Sequence, residues 1–415
     1  MSSGPEAAPT KAARTDVLVL GASFAGIEVV LQLQRRLPRP LRITVVDRQE
    51  QHGYIPLVHE RLCGRIPGPD TELPTARFVR SLPGAEFVCD EVVAFDPERK
   101  EVTLGSGKRI RARFVVVALG SVLAPPPSLP GGQHLGRAKL GAGVQGVQAR
   151  LDAVLQQEPG STPPVVVVVG GGISGVELAG ELAALRRHRP DGWQAPAVTL
   201  VAGSARLLPE LAEGVGRVAT AALVEQGVEL RLGTRVAEAE AEAVLLRRDA
   251  GTPERLPCAL ALWAGGIGPA PILAQLGLPR TDDGWLAVGP TLQCFATATP
   301  TRPDIFACGD AVRVVGGDGV WPTMQRAIEC LWQAKVVARN LVTLAACPPR
   351  YPDGVPALRP HVLRPRFAYG VSLGQRSLVV YGRARLDLPA INTWFRRWLM
   401  RRYFARYAPR AGSDA

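Results

Sequence analysis

The chain has 415 residues, 47% apolar and 21% charged, a globular composition that excludes disordered, collagen-like and fibrous classes and has room for two or three cores. Its net charge is +12, from 49 basic residues (44 Arg, 5 Lys) against 37 acidic ones; an Arg bias of this kind does not by itself point to nucleic acid, and none is expected as a partner. No apolar run reaches the roughly 18 residues that span a membrane, and Met1–Thr15 lacks the apolar core of a secretory signal, so a cytoplasmic protein with a disordered tail over 1–14 is expected.

The first periodic segment is a short apolar strand, Asp16 to Leu20. Gly21-Ala22-Ser23-Phe24-Ala25-Gly26 follows, then a helical pattern from Ile27 to Leu37, then a second strand, Arg42 to Val46, ending at Asp47. Strand, glycine turn, helix, strand and acid together make a βαβ unit for a dinucleotide. Ser23 stands where the usual pattern has its middle glycine. A small residue there still lets the backbone approach a pyrophosphate. Asp47 is placed to accept hydrogen bonds from a ribose diol.

Glu101 to Leu104 and Lys108 to Ala112 predict a hairpin around Gly105-Ser106-Gly107. Phe114 to Leu119 predicts a buried strand ending at Gly120. Pro125-Pro126-Pro127 then marks a crossing between domains.

Val165 to Val169 opens a second unit as a buried parallel strand. Its turn, Gly170-Gly171-Gly172-Ile173-Ser174-Gly175, has glycine at all three motif positions. A helix, Val176 to Leu185, and a strand, Ala197 to Val201, complete it. Each helix N-terminus neutralises a pyrophosphate, so two units imply two dinucleotides, naturally a flavin and a nicotinamide.

Further on, Leu260 to Trp263 predicts a strand leading into the glycine loop that contains Gly266. Ile305 to Cys308 predicts another, ending at Gly309-Asp310. A helix is expected over Pro322 to Leu344. Two strands around a turn at Gly374-Gln375 follow, and a last helix over Leu388 to Tyr407. The seven cysteines form no CxxC or CxxxxC, so neither zinc nor a redox dithiol has motif support, and no metal site is expected.

These residues resemble the two-dinucleotide flavoproteins of the pyridine nucleotide-disulfide oxidoreductase superfamily, and most closely type II NADH dehydrogenases (NADH:quinone oxidoreductases). The resemblance rests on five motifs in order. They are the Gly21 turn with Asp47; Asp47-Arg48 with His52, Pro56 and Leu57; Ala118-Leu119-Gly120-Ser121; the run Gly170 to Leu182; and Ile305 to Asp310. It implies an α/β fold with two Rossmann-like domains of glutathione-reductase type plus a C-terminal segment. The corresponding division is a first FAD-binding part at 15–130, an NAD(P)H-binding domain at 131–268, a second FAD-binding part at 269–346 and a C-terminal domain at 347–415. FAD and NADH or NADPH are the implied cofactors, and a quinone-like compound the implied acceptor. A protein carrier or specialised metabolite as acceptor, or a redox-sensing flavoprotein of apoptosis-inducing-factor type, are the alternatives.

The resemblance assigns FAD contacts to Gly21, Ser23, Phe24, Ala25, Gly26, Asp47, Arg48, Pro56, Leu57, Ala118, Gly120, Gly309 and Asp310. It assigns nicotinamide contacts to Gly170, Gly172, Ile173, Gly175, Ala202 and Gly266. Glu177 is expected beside the stacked rings and Gln325 beside the acceptor channel, the two candidate catalytic residues. Ala202 replaces the acid that holds a 2′-hydroxyl in NAD-specific members, and Ser204 and Arg206 are placed to bind a 2′-phosphate, which favours NADPH or dual use. Glu329 replaces the last Gln of the acceptor-side motif and would put a charge against a quinone headgroup.

In the last helix, Ile391, Trp394, Phe395, Trp398 and Leu399 share a face, with Arg396, Arg397, Arg401, Arg402 and Arg406 around them. Met400, Tyr403, Phe404 and Tyr407 drift to the opposite side. The helix is expected to lie on a membrane surface, peripheral on the cytoplasmic face of the inner membrane, or to dock on the body or on the second subunit of a homodimer. On the first reading, removal after Pro389 leaves a soluble, flavin-bound core.

Overall fold

A computed structural model describes residues 12–139, 141–156, 162–248, 251–294, 303–316, 319–321, 325–347, 356–364, 368–374, 376–382, 384–387 and 389–409. Most of the expected tail lies outside the described residues, and the first strand already runs from Ala13 to Leu20. The helices are α1 (Phe24–Arg36), α2 (Val58–Leu62), α3 (Thr75–Arg80), α4 (Gly141–Leu155), α5 (Ile173–Ala184), α6 (Glu213–Glu225), α7 (Ala327–Ala345) and α8 (Pro389–Arg406).

The Ala13–Leu20 strand lies at the centre of a parallel sheet, with Val17 beside Ile43 on one side and Phe114 on the other. Ala85–Cys89 extends the sheet past Ile43–Asp47, and Ile305–Ala307 joins it beside Val115 to Val117. The predicted hairpin arm and the buried strand after it are one nine-residue strand, Arg109–Val117. Its first half alternates in burial and pairs with Glu101–Leu104; its second half is buried on both faces, as a strand inside a parallel sheet must be.

The second sheet is also parallel, ordered Glu229–Leu232, Ala197–Ala202, Val165–Val169, Leu260–Trp263. Three antiparallel strands, Thr234–Ala239, Ala243–Arg248 and Glu254–Pro257, lie between the last two in sequence. Their weak alternation hid them from the sequence reading. Helix α7 begins at Ala327, later than expected. Gln325 has φ 49°, a left-handed conformation that cannot extend the helix backwards.

Among the described residues after 347, the buried apolar side chains join cores built by the rest of the chain. The sheet of this segment (Tyr369–Leu373, Arg376–Tyr381 and an unforeseen third strand, Ala384–Asp387) sends Val371, Leu373, Leu378 and Val380 into the second core. Helix α8 sends Tyr403 and Tyr407 into the first. Tyr403 packs 5.1 Å from Phe24 and 5.3 Å from Tyr54, and Tyr407 packs 5.5 Å from Phe78. The residues that seemed to drift off the apolar face of α8 are therefore its docking face. Arg396, Arg397 and Arg406 also turn inward, onto Glu177, Glu60 and Glu28. Trp394 (62%), Phe395 (42%), Trp398 (38%) and Leu399 (40%) remain exposed. The side chain of Ile391 is outside the described residues.

Candidate functional site

Both glycine turns open into one cleft of about 2010 Å³. That is roughly twice the upper end of an ordinary small-molecule pocket, large enough for two dinucleotides. The N-termini of α1 and α5 face it. Their capping positions, Ser23 and Gly172, make no side-chain bond to the helix, so the first backbone N–H groups are left for an anion.

In the first turn, Gly21, Ser23, Phe24 and Ala25 line the cleft. Asp47 accepts from the backbone N–H of Ala22 at 2.7 Å and of Gln49 at 2.9 Å, and burial pushes its carboxyl up. Ser23 Oγ lies 3.1 Å from His52 Nδ1, which explains a hydroxyl at the middle position. Burial lowers the His52 pKa to about 3, so the ring is neutral, and its Nε2 has no partner among the described residues. Arg48, Pro56, Leu57, Ala118 and Gly120 complete this wall.

Gly309 and Asp310 meet it from the end of the Ile305–Ala307 strand of the same sheet. The backbone N–H of Gly309 donates to Gln333 Oε1 at 2.7 Å. Asp310 accepts from Ser121 Oγ at 2.8 Å and from Lys139 Nζ at 3.2 Å. Lys139 also donates to Ser121 Oγ. Nothing in the sequence marked Lys139, because its neighbours come from two distant segments. Gln325 lines the cleft, donating to the Asp310 carbonyl at 3.2 Å.

In the second turn, Gly170, Gly172, Ile173 and Glu177 line the cleft, with Gly266 opposite. A Cβ built on Gly120 or on Gly266 would meet nothing within 4 Å, so both positions border open cleft. Gly26, Gly175 and Ala202 do not line it. The two glycines instead let helix and turn approach: a Cβ at Gly26 would lie 1.9 Å from Gly21 O, and one at Gly175 1.8 Å from Gly170 O. The two sheets have the same register at their turns, Leu20 beside Val46 and Val169 beside Val201. Ala202 therefore stands where Asp47 stands in the first unit, behind the loop.

Three sequence expectations change here. Arg206 is not available to a 2′-phosphate: its guanidinium donates to the carbonyls of Leu208, Pro209 and Leu211. Ser204 Oγ donates to Arg206 O at 2.7 Å. The cation on this wall is Arg235, whose side chain packs against Gly203. Glu329 does not line the cleft; it is 2% exposed, 3.0 Å from His361 Nε2, and accepts from Gln333. The next residue, Cys330, lines the cleft instead.

All seven cysteines are free thiols, and burial pushes those of Cys294 and Cys308 up to about 12. Among the described residues, no cluster of three or more His, Cys, Asp or Glu is arranged to hold a metal. Among them too, no helix is long and apolar enough to cross a membrane.

The glycine cradles, the strand-end acid and the two exposed helix N-termini fit FAD and a nicotinamide dinucleotide. The chain is 26% identical over 343 residues to a type II NADH:quinone oxidoreductase of Mycobacterium tuberculosis, covering 76% of this chain and 70% of that one. It is 26% identical over 355 residues to a demethylphylloquinone reductase of Synechocystis, covering 82% and 83%. The structure of NDH2 from Plasmodium falciparum in complex with NADH superposes with a TM-score of 0.78 at 12% identity, covering 95% of this chain and 97% of that one. The family model described as pyridine nucleotide-disulphide oxidoreductase matches residues 15–334, and the chain belongs to that family.

Proposed function

We propose that the chain is an FAD-dependent NAD(P)H:quinone-type oxidoreductase that works without a redox dithiol. The observation that carries this is the single cleft on which both glycine turns and both helix N-termini open. FAD bound there supplies the chemistry of accepting a hydride and passing its electrons on. The residues of the chain bind and orient. The first turn with Asp47 holds one dinucleotide, the second turn holds the other, and Asp310 with Ser121 and Lys139 fixes the floor between them. Glu177 is the buried acid at the meeting point, and Gln325 borders the acceptor side. The relatives named for quinone reduction support the acceptor class.

Anaerobic stopped-flow reduction by NADH and by NADPH, followed by turnover with a panel of quinones and protein carriers, tests this. Rapid flavin bleaching with either nucleotide and turnover with a quinone are expected; bleaching without quinone turnover sinks the acceptor assignment. Ala202 and Arg235 favour NADPH. Ala202→Glu is expected to shift the NADH-to-NADPH ratio of kcat/KM at least about 10-fold toward NADH, as a carboxylate accepts from a 2′-hydroxyl and repels a 2′-phosphate. An unmoved ratio places the ribose elsewhere.

The exposed Trp394, Phe395, Trp398 and Leu399, with the exposed Arg401 and Arg402, fit a peripheral site on an anionic lipid surface. Each cation near such a surface contributes about 1 kcal/mol. The protein is expected to sediment with anionic liposomes at low salt, and a Trp394→Ser, Trp398→Ser variant to stay in solution with its flavin. If the intact protein ignores liposomes but forms dimers that the double variant abolishes, this face is a subunit contact.

A further inference from the structure

Helix α8 lines one side of the cleft, and Arg396 is the α8 side chain that reaches Glu177. Arg396 Nη2 lies 3.4 Å from Glu177 Oε1, 2.8 Å from His59 Nε2 and 3.0 Å from the carbonyl of Pro56. Its side chain is 10% exposed, as is that of Glu177. We propose that Arg396 is a positioning residue for the redox reaction, one that orients the Glu177 carboxyl and sets its charge environment in the flavin–nicotinamide cleft. This rests on the oxidoreductase reading above.

The geometry sets the protonation of the neighbours. A guanidinium only donates, so His59 Nε2 must accept, and the ring's proton sits on Nδ1. That nitrogen faces Glu177 Oε2 at 3.6 Å. Burial and the nearby Arg396 and Arg65 hold His59 well below its ordinary pKa, so it is neutral and makes no ion pair with Glu177.

Each element packed against Glu177 contributes a group. The strand Tyr369–Leu373 offers the N–H of Ser372, which donates to Oε1 at 3.0 Å. Helix α2 brings Glu60 as well as His59, and α5 brings Glu181; both carboxylates oppose ionisation of Glu177. Glu60 is paired with Arg397 at 3.0 Å, and Glu181 with Arg65 at 2.9 Å. Among the described residues, Arg396 is the cation left to face Glu177. The balance raises Glu177 to about 7: burial is the larger effect and pushes it up, while Arg396 pulls in the other direction.

The test follows the pH dependence of flavin reduction and of quinone turnover in the full-length, FAD-loaded protein. The wild type is expected to show a midpoint near 7 that Glu177→Gln removes. In Arg396→Met the midpoint moves up by about 1–3 pH units, the usual effect of losing an adjacent opposite charge. Arg396→Lys returns it most of the way, and Arg396→Met in a Glu177→Gln background adds no further pH shift. Bound FAD and the thermal transition are checked for each variant. Should the Met variant not fold, Arg396→Gln, which retains a donor for His59, must move the midpoint instead. A midpoint that stays in place in a folded, flavin-bound Met or Gln variant overturns the proposal, as does a Lys variant that behaves like Met. If neither nucleotide reduces the wild-type flavin, the oxidoreductase reading itself fails, and the role of Arg396 with it.

Discussion

Gly26→Ala is expected to yield protein without bound flavin, and Gly175→Ala to yield yellow protein that NADH and NADPH no longer reduce. The two positions are equivalent in the two βαβ units, and the physical reason is the same. An added methyl would sit 1.9 Å from the carbonyl oxygen of Gly21 in the first unit, and 1.8 Å from that of Gly170 in the second. The obstructing atom is backbone, so no side chain can swing away; helix and turn must part. Overpacking of this kind costs about 3 kcal/mol, the upper end for an inserted methyl group, and parting the turn from the helix N-terminus also removes the anion-binding amides. A fall of at least about 100-fold in dinucleotide affinity follows, since each 1.4 kcal/mol is tenfold. The flavin absorbance of the purified variants and their stopped-flow traces separate the outcomes. Full flavin content in Gly26→Ala, or wild-type reduction kinetics in Gly175→Ala, would show that the turns do not hold the groups assigned to them.

The second large effect is expected at Tyr407. This side chain is fully buried, packs 4.9 Å from Tyr403 and 5.5 Å from Phe78, and donates its hydroxyl to Glu28 Oε2 at 2.6 Å. Glu28 is itself 0% exposed, and Arg406 is its ion-pair partner. Tyr407→Ala removes a large aromatic from a packed core, which costs about 3–5 kcal/mol, and takes a hydrogen bond from a buried carboxylate. Tyr407→Phe, which loses the hydroxyl alone, is expected to cost about 1.5–3 kcal/mol. Deleting α8 would uncover the whole aromatic cluster and strand both Glu28 and Glu60. The truncated chain is therefore expected to be insoluble or strongly destabilised, contrary to the soluble yellow core that the anchor reading of the sequence implies. Urea unfolding followed by flavin fluorescence measures each step. A truncated protein as stable as the full chain would mean that α8 does not pack where the structure places it.

Some of this protein was determined by short stretches of sequence alone. The two strand–turn–helix units, their glycines, Asp47 and the Gly309-Asp310 corner were all legible, because each depends on residues within one or two turns of chain. Even Ala202 could be located, since its register copies that of Asp47 one unit earlier. What the sequence showed as a residue type without a direction, the tertiary structure decided. Arg206 read as a phosphate ligand because its charge was visible, but the backbone carbonyls that curl around it were not. Glu329 read as a charge against an acceptor; one helical step put it on the buried face of α7 with His361 and turned Cys330 to the cleft. Helix α8 offered two apolar faces, and only the shape of the body, with Phe24, Tyr54 and Phe78 waiting as a socket, chose which one docks. That choice also sent Arg396 to Glu177 from the far end of the chain. A local motif fixes backbone geometry through sterics and hydrogen bonds between near neighbours, whereas the charge state of a buried acid depends on which distant groups the packing brings within a few ångströms of it.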